Sequence, residues 1–314
     1  MGNTTGQHHQ MKIQLKIRVL GLSCSLLFLI SCGRTPASSP ASGAIGRTEL
    51  IDIGGRKLQL LSCGQGAPTV IIEAGMGEPG VESGSWNKVT AEISKANRVL
   101  LYDRAGLGKS DPAPKLPRTS LDVARDLNAL LTKAGVEGPY LLVGHSYGGM
   151  HIRIFSSQYP DKVLGMVLVD SAHPDQDQRW LSSLGPETAS ESEPVRKARQ
   201  FLAARTLPSS NPESIDPAAS SAQVRAAPGL GGKPLVILSH SSKFRLDPSL
   251  PEDVSQKLEN ICREVQTDLK RISSNSTLRQ SASGGHYLQT EDPDLVIQGI
   301  RQALDAVGRR TKLP

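Results

Sequence analysis

Five residues near the middle of the chain, Gly144-His145-Ser146-Tyr147-Gly148, set a hydroxyl between two glycines, each two positions away. A serine hydroxyl is a weak nucleophile at neutral pH. It needs exposure, a neighbouring base and a site for the oxyanion. The flanks suggest how exposure arises. An apolar run, Leu141-Leu142-Val143, stops at Gly144, and helical apolar spacing begins at Met150, Ile152, Ile154 and Phe155. Strand, tight turn and helix follow one another with Ser146 at the apex. So sharp a turn drives residues two positions away into collision unless they are glycine. It also leaves the Tyr147 amide at a helix N-terminus, where free N–H groups and the helix dipole favour negative charge. The bare pattern G-x-S-x-G arises by chance in about one chain in ten of this length. The strand before it and the helix after it give it weight.

The base is expected late in the chain. His286, in Ser-Gly-Gly-His-Tyr-Leu-Gln, falls after the last strand-like run and before the last helical one, on a loop at the carboxyl ends of the strands. Other histidines fit less well. His145 points away from the apex, His151 sits in the following helix, and His173 opens a long irregular region. His240 follows an apolar run and is the competitor, although it stands where an acid is expected. A second oxyanion donor is expected from Glu73-Ala74-Gly75-Met76-Gly77, whose glycines allow close backbone approach; it is assigned to the Met76 amide, beside that of Tyr147.

These groups need a scaffold. Strand-like runs cover 48–53, 57–62, 69–73, 98–102, 140–143, 163–169, 234–238 and about 276–280; helical spacing covers 86–95, 119–134, 149–159, 251–273 and 293–307. The first two runs are amphipathic and joined through Gly54-Gly55, a hairpin signal. The later ones are near-continuous Val, Ile and Leu, as in a parallel sheet covered by helices on both faces. Residues 172–232 break the alternation: they are rich in Ser, Pro, Ala and Glu, with one short helical segment near 193–205. An insertion of that length above the carboxyl ends of the strands reads as a lid or binding loop. Leu181, Leu184, Phe201 and Leu202 are the residues that would make its inner side apolar, and Trp86 either lines a pocket or anchors a helix.

The chain of 314 residues accommodates one large α/β domain with an insertion. Lys12, Lys16 and Arg18 account for half of the formal net charge of +6, and no Lys/Arg run is interleaved with aromatics, so nucleic acid is not an expected partner. Those three cations precede an apolar stretch, 19–31, too short for a permanent membrane span. With Leu29-Ile30-Ser31-Cys32-Gly33 it resembles a bacterial lipoprotein signal, which implies lipidation of Cys32 and a membrane-anchored, exported protein. Residues 34–46 have the small-residue, flexible composition of a tether with Arg34 as its one charge, and Met11 is an alternative start. Cys63 and Cys262 remain in the body, either as a disulfide or as two buried thiols; no Cys or His cluster has metal-ligand spacing.

Taken together, GHSYGG, YDRAGLGKSD (102–111), EAGMG (73–77), VLVDSAHP (167–174) and GGHYLQTEDPDLV (284–296) resemble the α/β-hydrolase superfamily, closest to its lid-bearing bacterial serine hydrolases. The resemblance covers about 48–307. It implies an eight-stranded, mostly parallel sheet with helices on both faces, a Ser–acid–His triad, and hydrolysis of an ester or related acyl bond in a small molecule without a cofactor or metal. On that reading 1–31 is a signal peptide, 32–46 a tether, 47–171 and 233–308 the core, and 172–232 the lid. Aspartate at the elbow would have indicated haloalkane dehalogenases or epoxide hydrolases. The acid departs from the usual pattern: LSHSSKFRL (238–246) has no carboxylate, and Asp247 is the nearest. Some branches carry the acid after the preceding strand, where this chain has Asp170. Asp170 is preferred and Asp247 is the alternative. Asp103 and Arg104 read as local hydrogen-bonding groups. A non-catalytic binding lipoprotein is the rival reading, and haloperoxidase or acyltransferase chemistry would use the same triad.

Overall fold

The computed structural model describes residues 46–313. The expected signal segment, the tether up to residue 45 and Cys32 lie outside them. Eight strands form one sheet: β1 (Arg47–Asp52), β2 (Lys57–Cys63), β3 (Thr69–Glu73), β4 (Val99–Tyr102), β5 (Tyr140–His145), β6 (Val163–Val169), β7 (Leu235–Ser239) and β8 (Ser276–Gln280). Their order is β1-β2-β4-β3-β5-β6-β7-β8. The pairs β1–β2 and β2–β4 are antiparallel and the rest are parallel.

The near-continuous apolar strands are buried on both faces, and alternate residues separate two cores. Ile71, Leu142, Met166, Leu168 and Ile237 point to one side, where α2 (Ser120–Lys133) and α3 (Tyr147–Gln158) pack. Val70, Ile72, Val143, Val167, Val169 and Leu238 point to the other, against α1 (Asn87–Ile93) and α9 (Pro293–Arg309). Trp86 is part of this second core, so it anchors a helix.

Parallel register determines where the chemistry can sit. Glu73 pairs with Gly144, His145 with Val169, and Val169 with Leu238. The ladder continues one residue further: the Ser146 amide donates to the Val169 carbonyl (3.1 Å) and the Asp170 amide to the Leu238 carbonyl (2.7 Å). Ser146, Asp170 and His240 therefore leave three adjacent strands at one edge of the sheet, where open α/β sheets bind ligands.

Residues 172–232 are more ordered than their composition suggests. They contain α4 (Gln176–Ser183), α5 (Glu193–Ala204) and α6 (Pro217–Ala226). Trp180 and Leu202 are buried against Leu250, Leu258 and Cys262, the last two on α7 (Glu252–Asp268), with Leu181 and Leu184 packed beside them. Those leucines thus bind the insertion to the body instead of forming the expected apolar inner side, and Phe201 is half exposed. A short helix, α8 (Leu288–Glu291), precedes α9. Cys63 and Cys262 are both free, buried thiols. No helix among the described residues is long and apolar enough to cross a membrane.

Candidate active site

Ser146 sits between β5 and α3 with φ 51° and ψ −124°, a strained conformation for a residue with a side chain. Three backbone bonds hold it: its amide donates to Val169, and its carbonyl accepts from the amides of Ala172 (2.9 Å) and Gly149 (3.1 Å). The flanking glycines are sterically required. A Cβ on Gly144 would lie 2.8 Å from backbone atoms of Gly149, and one on Gly148 would lie 2.4 and 2.5 Å from the carbonyl oxygens of Glu73 and Ala74. The second contact also shows that the elbow rests directly on the loop after β3.

His286 lies between Ser146 and Asp170. The Ser146 hydroxyl is 3.0 Å from Nε2 of His286, and Nδ1 of His286 is 2.6 Å from Oδ2 of Asp170. Asp170 is buried and, like Ser146, has a positive φ, 42°, which turns its side chain towards the loop after β8. Burial pushes its pKa up, but hydrogen bonds from His240 and His286 outweigh this and hold the carboxyl well below the usual carboxylate range. Burial lowers the pKa of His286; His145 and His240 lower it further, against the pull of Asp170. An imidazole so placed is neutral near pH 7 and able to accept a proton. Asp247, the alternative acid, accepts instead from the amide (2.9 Å) and hydroxyl (2.7 Å) of Ser249 in its own turn.

The loop after β3 is braced from three directions. Buried Arg104 donates to the carbonyls of Ala74 (2.8 Å) and Gly75 (2.6 Å), to Glu73 (2.8 Å), and through Nε to Glu213 of the insertion (2.6 Å). The Gly75 amide donates to Glu78 (3.2 Å) and the Gly77 amide to Glu213 (2.7 Å). Between these two engaged amides lies that of Met76, which has no acceptor among the described residues. Arg104 thus does more than satisfy local groups, and Glu213 is a site-supporting residue that its Ser/Pro-rich surroundings concealed.

The remaining histidines have separate uses. His145 Nε2 lies 2.9 Å from the carbonyl of His286, and the two rings are 4.8 Å apart, so His145 supports the base from below. Its Nδ1 faces Glu78 at 3.5 Å. Burial pushes the Glu78 carboxyl up, yet bonds from His145 and Ser85 bring it down to about 2. His151 meets Ser120, and His173 meets Asp268 on α7. His240, the competitor base, lies on the far side of Asp170: its Nδ1 is 2.8 Å from Oδ1 of that residue and its Nε2 is 3.1 Å from Glu259. His240, Glu259 and Cys262 form a cluster of possible metal donors lying within 4.8 Å of one another. Both imidazole nitrogens face carboxylates, however. That is the setting of an imidazolium donating twice, whereas a metal ligand presents a bare nitrogen to the ion.

Chemically, the arrangement offers an exposed-apex hydroxyl, a neutral base within hydrogen-bonding reach, a buried anion that orients that base, and two amides beside the elbow. Comparison with known proteins agrees with the architecture. The family model of the alpha/beta hydrolase fold matches residues 68–203. A protein of Hormonema carpetanum described as a probable transporter is 36% identical over 141 residues, 43% of this chain and 20% of that protein. The chain thus spans only a fifth of that relative's length. An AB hydrolase superfamily protein of Gibberella zeae is 25% identical over 284 residues, covering 76% of this chain and 87% of its own. Among solved structures, a thermophilic esterase from Thermogutta terrifontis superposes with a TM-score of 0.53 at 21% identity, over 84% of this chain and 99% of the esterase. The fold observed here, with its elbow inside the matched segment, is the α/β-hydrolase fold.

Proposed function

We propose that this protein is a serine hydrolase that cleaves an ester or related acyl bond in a small molecule. The observation that carries the reading is the continuous path Ser146–His286–Asp170, with links of 3.0 and 2.6 Å. In the reaction, the Ser146 hydroxyl attacks the acyl carbon as its proton passes to His286 Nε2. The amides of Tyr147 and Met76 hold the oxyanion. His286 protonates the leaving group, and water then releases the acyl group by the same steps. The reaction requires no cofactor. Serine in place of aspartate at the elbow supports acyl transfer over dehalogenation.

The test is hydrolysis of a p-nitrophenyl ester by the purified protein. Ser146→Ala should lose at least ~10³ in kcat, the scale of a lost triad nucleophile. Near-normal turnover by that variant would refute the assignment. We further propose that residues 172–232 act as the lid over this site and that Cys32 is a lipid anchor on the exported protein. If so, Cys32→Ala should abolish incorporation of a labelled fatty acid in a bacterial host and release the protein from membranes; unchanged labelling would dismiss the anchor.

A further inference from the structure

We propose that His240, seated by Glu259, is a positioning residue that clamps the triad acid and tempers the base. The proposal rests on the serine-hydrolase reading above. Asp170 has two oxygens and an imidazole on each. Oδ2 faces His286, while Oδ1 accepts from the His240 amide (3.1 Å) and lies 2.8 Å from its ring Nδ1. The far nitrogen of His240 meets Glu259 on α7 at 3.1 Å. A line of five side chains thus runs through the site: Glu259, His240, Asp170, His286, Ser146. All of its members behind His286 are buried.

Two consequences follow. The first is orientational. A carboxylate held at one oxygen by two donors cannot rotate away, so its second oxygen stays aimed at His286. Holding the acid this way fixes the ring that receives the proton. The second is electrostatic. Burial opposes charge on His240, but its bond to Asp170, the proximity of Cys262 and the bond to Glu259 push its pKa up to about 12. A fixed positive charge behind Asp170 offsets part of that anion's pull on His286. The groups facing His240 are Asp170 at the end of β6, His286 after β8, and Glu259 and Cys262 on α7; those facing His286 are Asp170, His145 from β5 and His240. His240 therefore gives the triad a rigid acid and a less basic histidine.

The experiment is the rate at which a fluorophosphonate labels Ser146 as a function of pH, a readout that needs no knowledge of the substrate. Labelling requires neutral His286, so its acid limb reports that histidine. In His240→Asn a neutral amide replaces the cation and His286 regains basicity. The midpoint should move up by about 0.5–1 pH unit, and the plateau rate should fall about tenfold. Glu259→Gln, which is isosteric, strips His240 of a counter-ion while leaving it protonated, so it should move the midpoint the other way, down, and by less. A purely structural role would lower the melting temperature and leave the midpoint in place; an unmoved midpoint in these variants overturns the proposal. Should His240→Asn fail to fold, Glu259→Gln alone decides it. Wild-type protein that takes no label would refute the catalytic reading itself, a result distinct from labelled variants with superimposable profiles.

Discussion

Asp170 faces two histidines because its backbone turns at a positive φ just past β6, an arrangement that side-chain patterns do not announce. It is a buried anion held by His240 and His286, whereas Asp247 is engaged with Ser249. Asp170→Asn should therefore lower kcat by roughly 10²–10⁴, the range for a lost triad acid, and Asp247→Asn should leave it within about twofold. Ester-hydrolysis rates of both variants check this, and the reverse order would move the acid. The pH dependence has a definite sign. On the proposed mechanism activity requires unprotonated His286, and its pKa is lowered from 6.5 by burial first and by His145 next. The acid limb of kcat/KM should thus have its midpoint below 6.5, with activity retained in mildly acidic solution. A midpoint above 7 would contradict the assigned environment. Ser146 and His286, which the structure brings together, could be picked from the sequence because each sits at a motif with a steric or positional reason. Glu213, Glu78 and Glu259 could not, since nothing in a lone glutamate's neighbours reveals that it will be buried beside an Arg or His from a distant segment.

At the scale of elements, the sheet does most of the positioning. Equal register at the ends of β5, β6 and β7 delivers Ser146, Asp170 and His240 to one edge, and the loop after β8 brings His286 across. The central strands β3 to β7 could be read from runs of Val, Ile and Leu because burial on both faces leaves an unbroken apolar signal, whereas β1 and β2 show through amphipathic alternation around a glycine turn. Helices α4 and α6 could not. QDQRWLSS buries only Trp180, and PAASSAQVRA contacts the body through Pro217, Ser220 and Val224, so neither carries an apolar stripe. The loop after β3 depends on its neighbours. Gly148→Ala would press a methyl group onto the carbonyls of Glu73 and Ala74, forcing apart the elbow and that loop. We expect kcat to fall at least tenfold while KM changes little, because a displaced oxyanion donor acts on the transition state. Steady-state kinetics on a soluble ester decide it; a change confined to KM would place the loop's role in binding.

Across the whole molecule, the insertion is tied to the site by charge as well as by packing. Glu213 reaches back to Arg104 and Gly77, α4 lies on α7 through Trp180, and α7 carries Glu259. The segment expected to cover the site also braces it. Glu213→Ala would leave Arg104 with one buried carboxylate partner, Glu73, and should destabilise the fold by about 3 kcal/mol or more, seen as a lower denaturant midpoint; an unchanged midpoint would mean that the pair is dispensable. The central claim is that one serine in this molecule is activated. Its most direct test is to treat the purified protein with a fluorophosphonate and map the adduct by peptide mass spectrometry. The account predicts a single adduct on Ser146, absent from Ser146→Ala and strongly slowed in His286→Ala. An adduct on another residue, or no adduct on folded wild-type protein, would contradict it.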